Sequence, residues 1–164
     1  MTLAHDQGGP SIELERSLPS DVPAISPFVD DLMVFLRGYG CVPADVRDVE
    51  IALREALANA IIHGNHEDPR KHAHIACRCE PDEVSIAVRD EGQGFDINKV
   101  ADPTAPENIG SVHGRGIYLM KALMDEVRFE EGGVVVQMRK SVRHRLKSFG
   151  AARTEKNNDQ KAGR

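Results

Sequence analysis

The sequence has no tryptophan and only 4% aromatic residues, so a core has to be assembled from Val, Ile, Leu, Met and Ala. It also lacks an apolar run near its start long enough for a signal peptide or a membrane span, and no membrane association is expected. Three cysteines, an odd number for a chain of 164 residues, do not describe a disulfide framework, which favours a reduced, cytoplasmic setting. Basic charge is scarce over most of the chain. Seven Lys/Arg against Glu155 and Asp159 give residues 141–164 a balance of +5, and since the whole chain carries −5, residues 1–140 carry −10. An acidic body has no face with which to neutralise duplex phosphates, so direct nucleic-acid binding is not expected.

What is present reads as one domain. Residues 1–10 have no period and are expected to form a flexible N-terminal arm. Ser11–Leu18 has the alternation of a strand. Ser20-Asp21 can cap an amphipathic helix carrying Val22, Ile25, Phe28, Val29, Leu32, Met33 and Leu36, with Pro27 as a possible kink and Gly38 and Gly40 at its end. Pro43-Ala44-Asp45 opens a second helix whose stripe Val46, Val49, Leu53, Ala56, Leu57, Ala60 and Ile61 is wide enough to bury; Gly64-Asn65 closes it. Strands are expected over 72–80 and 83–89 about the turn Pro81-Asp82, a third helix over 118–126, and a final hairpin around Gly132-Gly133. The domain thus spans 11–140, and the polar, basic residues 141–164 form a flexible tail.

Three local patterns carry chemistry. Glu55, Asn59 and His63, at i, i+4 and i+8, project from one line on the second helix, beside its apolar face. A polar line at the edge of a core needs a partner, because an unpaired buried polar group costs about 1–3 kcal/mol. A Mg²⁺–triphosphate would serve, with the Asn59 amide oxygen as a hard ligand and Glu55 accepting a proton from an attacking hydroxyl. A solvated helix face is the plain alternative. The second pattern, Asp90-Glu91-Gly92-Gln93-Gly94-Phe95, follows a strand. Its glycines let backbone approach a flat ring, and its carboxylate suits the exocyclic amino group of adenine; a simple glycine-rich turn is the competing reading. The third, Gly114-Arg115-Gly116, opens a helix whose free N–H groups attract phosphate. Without the Lys-Ser/Thr of a Walker loop it does not support P-loop chemistry.

In this order the three patterns resemble the GHKL ATPase superfamily and, within it, the anti-sigma-factor serine/threonine kinases of bacterial partner-switching systems. Glu55-Ala-Leu-Ala-Asn59-Ala-Ile-Ile-His63-Gly64-Asn65 resembles the family's N box, Asp90 through Asp96 its first glycine box, and Gly114-Arg-Gly116-Ile117-Tyr-Leu-Met120 its second, over about residues 11–140. The resemblance implies an α/β two-layer sandwich, a mixed and largely antiparallel sheet with helices on one face. It implies Glu55 as general base, Asn59 as Mg²⁺ ligand, and Asp90 as the adenine reader in a pocket shaped by Gly92 and Gly94. His63, Phe95, Arg115 and Ile117 would line the nucleotide, Gly114 and Gly116 would let backbone amides hold the phosphates, and 97–113 would form a lid. It further implies ATP and Mg²⁺ as cofactors, a sigma factor and a small antagonist protein as partners, and a homodimer.

The sequence departs from that family at two places. The stretch before the second glycine box, Ile-Gly-Ser-Val-His113, lacks the arginine often found there, leaving His113 and Arg115 as the nearby cations. The late strand reads Gly133-Val-Val-Val-Gln137 where a Thr is common. A module that binds ATP without transferring phosphate is therefore the competing function. A histidine-kinase catalytic half is disfavoured because no His-bearing helix pair precedes residue 11, and MutL- or gyrase-like roles because no residues remain for a transducer domain. His63, His66, His72 and His74 read as solvated rather than metal-bound. Cys77 and Cys79 read as small core residues on one strand face and Cys41 as exposed.

Overall fold

A computed structural model describes residues 2–6, 9–42, 47–96 and 114–142. Strong period-2 alternation in the middle of the chain produces the central hairpin, β3 (His72–Glu80) and β4 (Glu83–Arg89). Ala73, Ile75, Cys77 and Cys79 of β3 and Val84, Ile86 and Val88 of β4 are buried on one face. On either side lie β2 (Gly9–Pro19) and β6 (Val135–Ser141), followed outward by β1 (Thr2–Asp6) and β5 (Glu126–Glu130). The order is β1-β2-β3-β4-β6-β5. Among the described residues every pairing is antiparallel, so the largely antiparallel sheet expected is wholly so here. Neighbours β3–β4 and β5–β6 are joined by connections too short for a parallel crossover.

Among the described residues three α-helices cover the buried face. In α1 (Ile25–Gly38), Ile25, Val29, Leu32, Met33 and Leu36 face inward. A 3₁₀ turn over Val22–Ala24 precedes it, so the helix begins later than Ser20-Asp21. Pro27 therefore falls in the first turn, where a missing N–H costs nothing, and it introduces no kink. The stripe of α2 (Asp48–Ala58) buries Val49, Ala52, Leu53, Ala56 and Leu57. The expected opening at 43–45 lies outside the described residues. The last helix, α3 (Arg115–Leu123), buries Met120 and packs on α2. It begins before and stops short of the expected 118–126, since Glu126 already pairs with Arg139 in the sheet.

Two further expectations are corrected. Thr2–Asp6, read as an arm, forms β1 with Leu3 opposite Ile12; pairing to a strand edge uses backbone groups and leaves no required side-chain period. Cys41 is fully buried and bonded to Cys79, with their Cα atoms 5.4 Å apart, which ties the segment after α1 to β3. Cysteine usage therefore no longer argues for a reducing compartment. Cys77 is the buried thiol, and burial pushes its pKa up to about 12. Among the described residues no helix is long and apolar enough to cross a membrane. The last strand, expected over Val134–Met138, runs through Ser141, and Val142 N–H donates to the Asp82 carbonyl; residues 143–164, the rest of the expected tail, lie outside the described residues.

Candidate nucleotide site

The site is organised along α2 and its continuation. After Ala58 the helix widens into a π turn, Asn59–Gly64, closed by the Asn65 N–H donating 2.8 Å to the Ala60 carbonyl. Single π turns inside helices recur at functional sites. Glu55 and Asn59 lie half-buried at the edge of the core, whereas His63 is exposed. The first turn of α3 lies against the first two. A Cβ on Gly116 would stand 2.7 Å from Glu55 Oε2 and 3.4 Å from Asn59 Oδ1, so a side chain here would displace the Glu55 carboxylate. Gly114 caps α3 at φ +83°, a conformation that L side chains rarely adopt, and it has no side chain with which to cover the first N–H groups. Arg115 and Ile117 follow in that first turn, Arg115 exposed and Ile117 packed against the core.

The far end of the same helix meets the first glycine box. The Asp90 side chain packs on Gly64, with no space between them for a Cβ, and a Cβ on Gly92 would run into the Gly64 carbonyl. Asp90 is only 7% exposed. Its Oδ1 accepts the Gly92 N–H at 2.7 Å, and its own N–H donates to the Val134 carbonyl at 3.1 Å. Burial holds its carboxyl above the usual carboxylate pKa, opposed by the Gly92 hydrogen bond and by the charge of Lys71. A carboxylate can accept about four hydrogen bonds, so this one retains capacity for N–H donors of a ligand. Beyond it, Phe95 N–H donates to the Gly132 carbonyl and its ring meets Phe129 edge-on at 5.7 Å. These rings, with Gln93, Gly94, Asp96, Gly132 and Gly133, line an open hollow of about 570 Å³. A larger groove of about 690 Å³ lies on the uncovered face of the sheet and contains none of the motif residues.

From Glu55 to Gly64 the helix rises roughly 13 Å. It thus offers a carboxylate, an amide and a helix N-terminus at one end, and a buried carboxylate beside close-packed glycines at the other. That spacing suits a nucleoside triphosphate laid along the helix, base against Asp90. Among the described residues no three His, Cys, Asp or Glu converge as a metal cage. The Asn59 amide oxygen and the Glu55 carboxylate are hard oxygen donors of the type Mg²⁺ accepts, and such ions are commonly held by one or two protein groups together with phosphates. The residues present therefore fit the ion. The lid expected over 97–113, with His113, lies outside the described residues.

Sequence reasoning passed over one residue of this region. Asn65, read as a helix terminator at the end of the N-box stretch and given no role, is fully buried. Its Nδ2 donates to Ser20 Oγ and to the His72 carbonyl, each at 2.9 Å, and its Oδ1 accepts the Glu91 N–H at 2.7 Å. Glu91 in turn accepts from the His74 ring at 2.8 Å and from the His72 N–H at 3.2 Å. Its pKa is lowered, mainly by His74. No single-residue pattern distinguishes such an Asn from a helix cap.

Residues 18–140 match the histidine kinase-like ATPase domain family. The chain is 38% identical over 103 residues to the serine-protein kinase RsbW of Bacillus licheniformis, covering 58% of this chain and 64% of that protein. It is 33% identical over 130 residues to the serine-protein kinase RsbW of Bacillus subtilis strain 168, covering 73% and 81%. It is also 33% identical over 105 residues to the anti-sigma F factor of Oceanobacillus iheyensis, covering 60% and 70%.

Proposed function

Since the chain belongs to the histidine kinase-like ATPase domain family, we propose that it is an ATP-dependent serine/threonine protein kinase of the anti-sigma type. It binds a sigma factor and phosphorylates a small antagonist protein, so that the two partners compete for it. The observation that carries this reading is the contact of Gly116 with Glu55 and Asn59, which joins the helix stripe to the second glycine turn. The relatives named serine-protein kinase and anti-sigma F factor support the same reading.

In this reading Asp90 accepts from the adenine amino group, and Gly92 and Gly94 keep the pocket wall flat. Phe95 borders the base end, and His63 lines the outer rim. The α3 N-terminus, through the backbone amides of Gly114, Arg115, Gly116 and Ile117, holds the phosphates. Mg²⁺, held by Asn59, supplies neutralising charge on the phosphate oxygens when bound. Glu55 takes the proton of the target hydroxyl as that oxygen bonds to the γ-phosphorus, and the bond to the ADP oxygen breaks. A cytoplasmic location and a homodimer belong to the same proposal.

The test uses labelled ATP, Mg²⁺ and candidate antagonist domains, with Glu55→Ala alongside. Label on a Ser or Thr of an antagonist, absent with the variant, is the expected result. Binding of ATP with no label on any partner would leave an ATP-dependent binding module and refute the kinase.

A further inference from the structure

We infer that Asn65 is a positioning residue that sets the adenine selectivity of the site through Asp90. This rests on the reading above in one respect, that Asp90 receives the base. The Asn65 side chain joins three segments distant in sequence: the β2–α1 corner through Ser20, the start of β3 through the His72 carbonyl, and the glycine box through the Glu91 N–H. The last of these is decisive. The Glu91 N–H belongs to the peptide unit that leaves Asp90, so the hydrogen bond fixes the backbone from which the Asp90 carboxylate projects. On its other sides that carboxylate is held by the Gly92 N–H and packed on Gly64, the residue before Asn65.

Ser20 completes the brace. Its Oγ donates to the Lys71 carbonyl at 2.9 Å and its N–H donates to the same oxygen at 3.1 Å, so the hydroxyl is fixed in direction when it accepts from Asn65. All three hydrogen-bonding positions of the buried Asn65 amide used here are occupied by protein. Both its N–H donors are spent on protein, and its effect on nucleotide passes through Asp90.

A group that merely supports the fold weakens every nucleotide alike. A group that aims Asp90 changes discrimination between ATP and ITP, whose hypoxanthine carries an oxygen in place of the amino group, because a site built to accept from N–H leaves its carboxylate facing that oxygen. Binding of both nucleotides to the full chain is measured for the wild type and for Asn65→Ala, Ser20→Ala and Asp90→Asn, with circular dichroism reporting folding. The expected result is a wild-type preference for ATP that collapses or reverses in Asp90→Asn and falls about tenfold in Asn65→Ala. In Ser20→Ala, which leaves the Glu91 bond intact but loosens the amide, it falls a few-fold. Equal weakening of ATP and ITP by Asn65→Ala, with Asp90→Asn still collapsing the preference, overturns the positioning role alone. Should Asn65→Ala not fold, an unchanged preference in Ser20→Ala overturns it. A wild type without preference, or an Asp90→Asn variant that keeps it, removes the base-reading role of Asp90 and this inference with it.

Discussion

Two asparagines six residues apart on one helical segment have opposite surroundings. Asn65 is fully buried with donors and acceptor engaged. Asn59 is half-buried, and among the described residues no side-chain hydrogen bond engages its amide or the Glu55 carboxylate. The same amide is structural in one place and available in the other, and the π turn between them carries the helix from one regime to the next. In the proposed reading the base end of the site is thus built in advance by the protein, whereas the phosphate end keeps its polar groups open for a ligand. A pocket that must discriminate gains from fixed donors and acceptors. A centre that must take up an ion and pass on a proton needs groups with unspent capacity.

Breaking the open end should cost the most. Glu55→Gln is expected to lower phosphoryl transfer by about 10²- to 10⁴-fold while ATP affinity stays within about twofold, as measured by single-turnover assay and by titration. Equal losses in both would assign Glu55 to binding.

The covalent tie ahead of α2 comes next. Cys41→Ser, which opens a loop of sequence separation 38, should lower stability by about 3–4 kcal/mol in denaturant melts. If the base end is organised by Asn65, ATP affinity of the folded protein stays at the wild-type level. A parallel fall in affinity would move that organisation to the disulfide.

The contrast between the asparagines makes a smaller, sharper prediction. Asn65→Ala strands the Glu91 N–H and takes a donor from the Ser20 hydroxyl and the His72 carbonyl, and should cost about 1–3 kcal/mol. Asn59→Ala removes no intramolecular partner and should melt within about 0.5 kcal/mol of wild type. Similar losses in both would erase the distinction.

Acid–base behaviour adds the smallest effect. Burial raises the pKa of Asp90 in the folded state, so just above the usual carboxylate range the native protein holds more of this proton than the unfolded chain. Stability therefore falls as pH rises through that window. Asp90→Asn removes the slope, and its melting temperature should exceed that of wild type at neutral pH and converge with it in acid. A variant less stable at neutral pH would show that Asp90 stabilises the fold as an anion.

The sequence was most legible where one periodicity ran long. The alternation of β3 and β4 and the stripe of α2 identify the core directly, because burial on one face admits few substitutes. The site patterns were legible as types: a carboxylate four residues before an amide, and glycines at intervals too tight for chance. That Gly116 lies on Glu55 is a tertiary fact with no local signal, and so is the pairing of Cys41 with Cys79, which the fold brings to 5.4 Å between Cα atoms. The π turn was hidden because a hydrogen bond to the fifth rather than the fourth residue leaves composition unchanged. Asn65 was hidden by its own ordinariness, an Asn after a Gly at a helix end.

The most direct test of the separation between the two ends is calorimetric titration of ATP, with and without Mg²⁺, into the wild type and Asn59→Ala. The account predicts that Mg²⁺ strengthens ATP binding to the wild type and that the folded variant loses this gain while keeping its Mg²⁺-independent affinity. An Asn59→Ala protein that binds Mg²⁺–ATP as tightly as the wild type would contradict it.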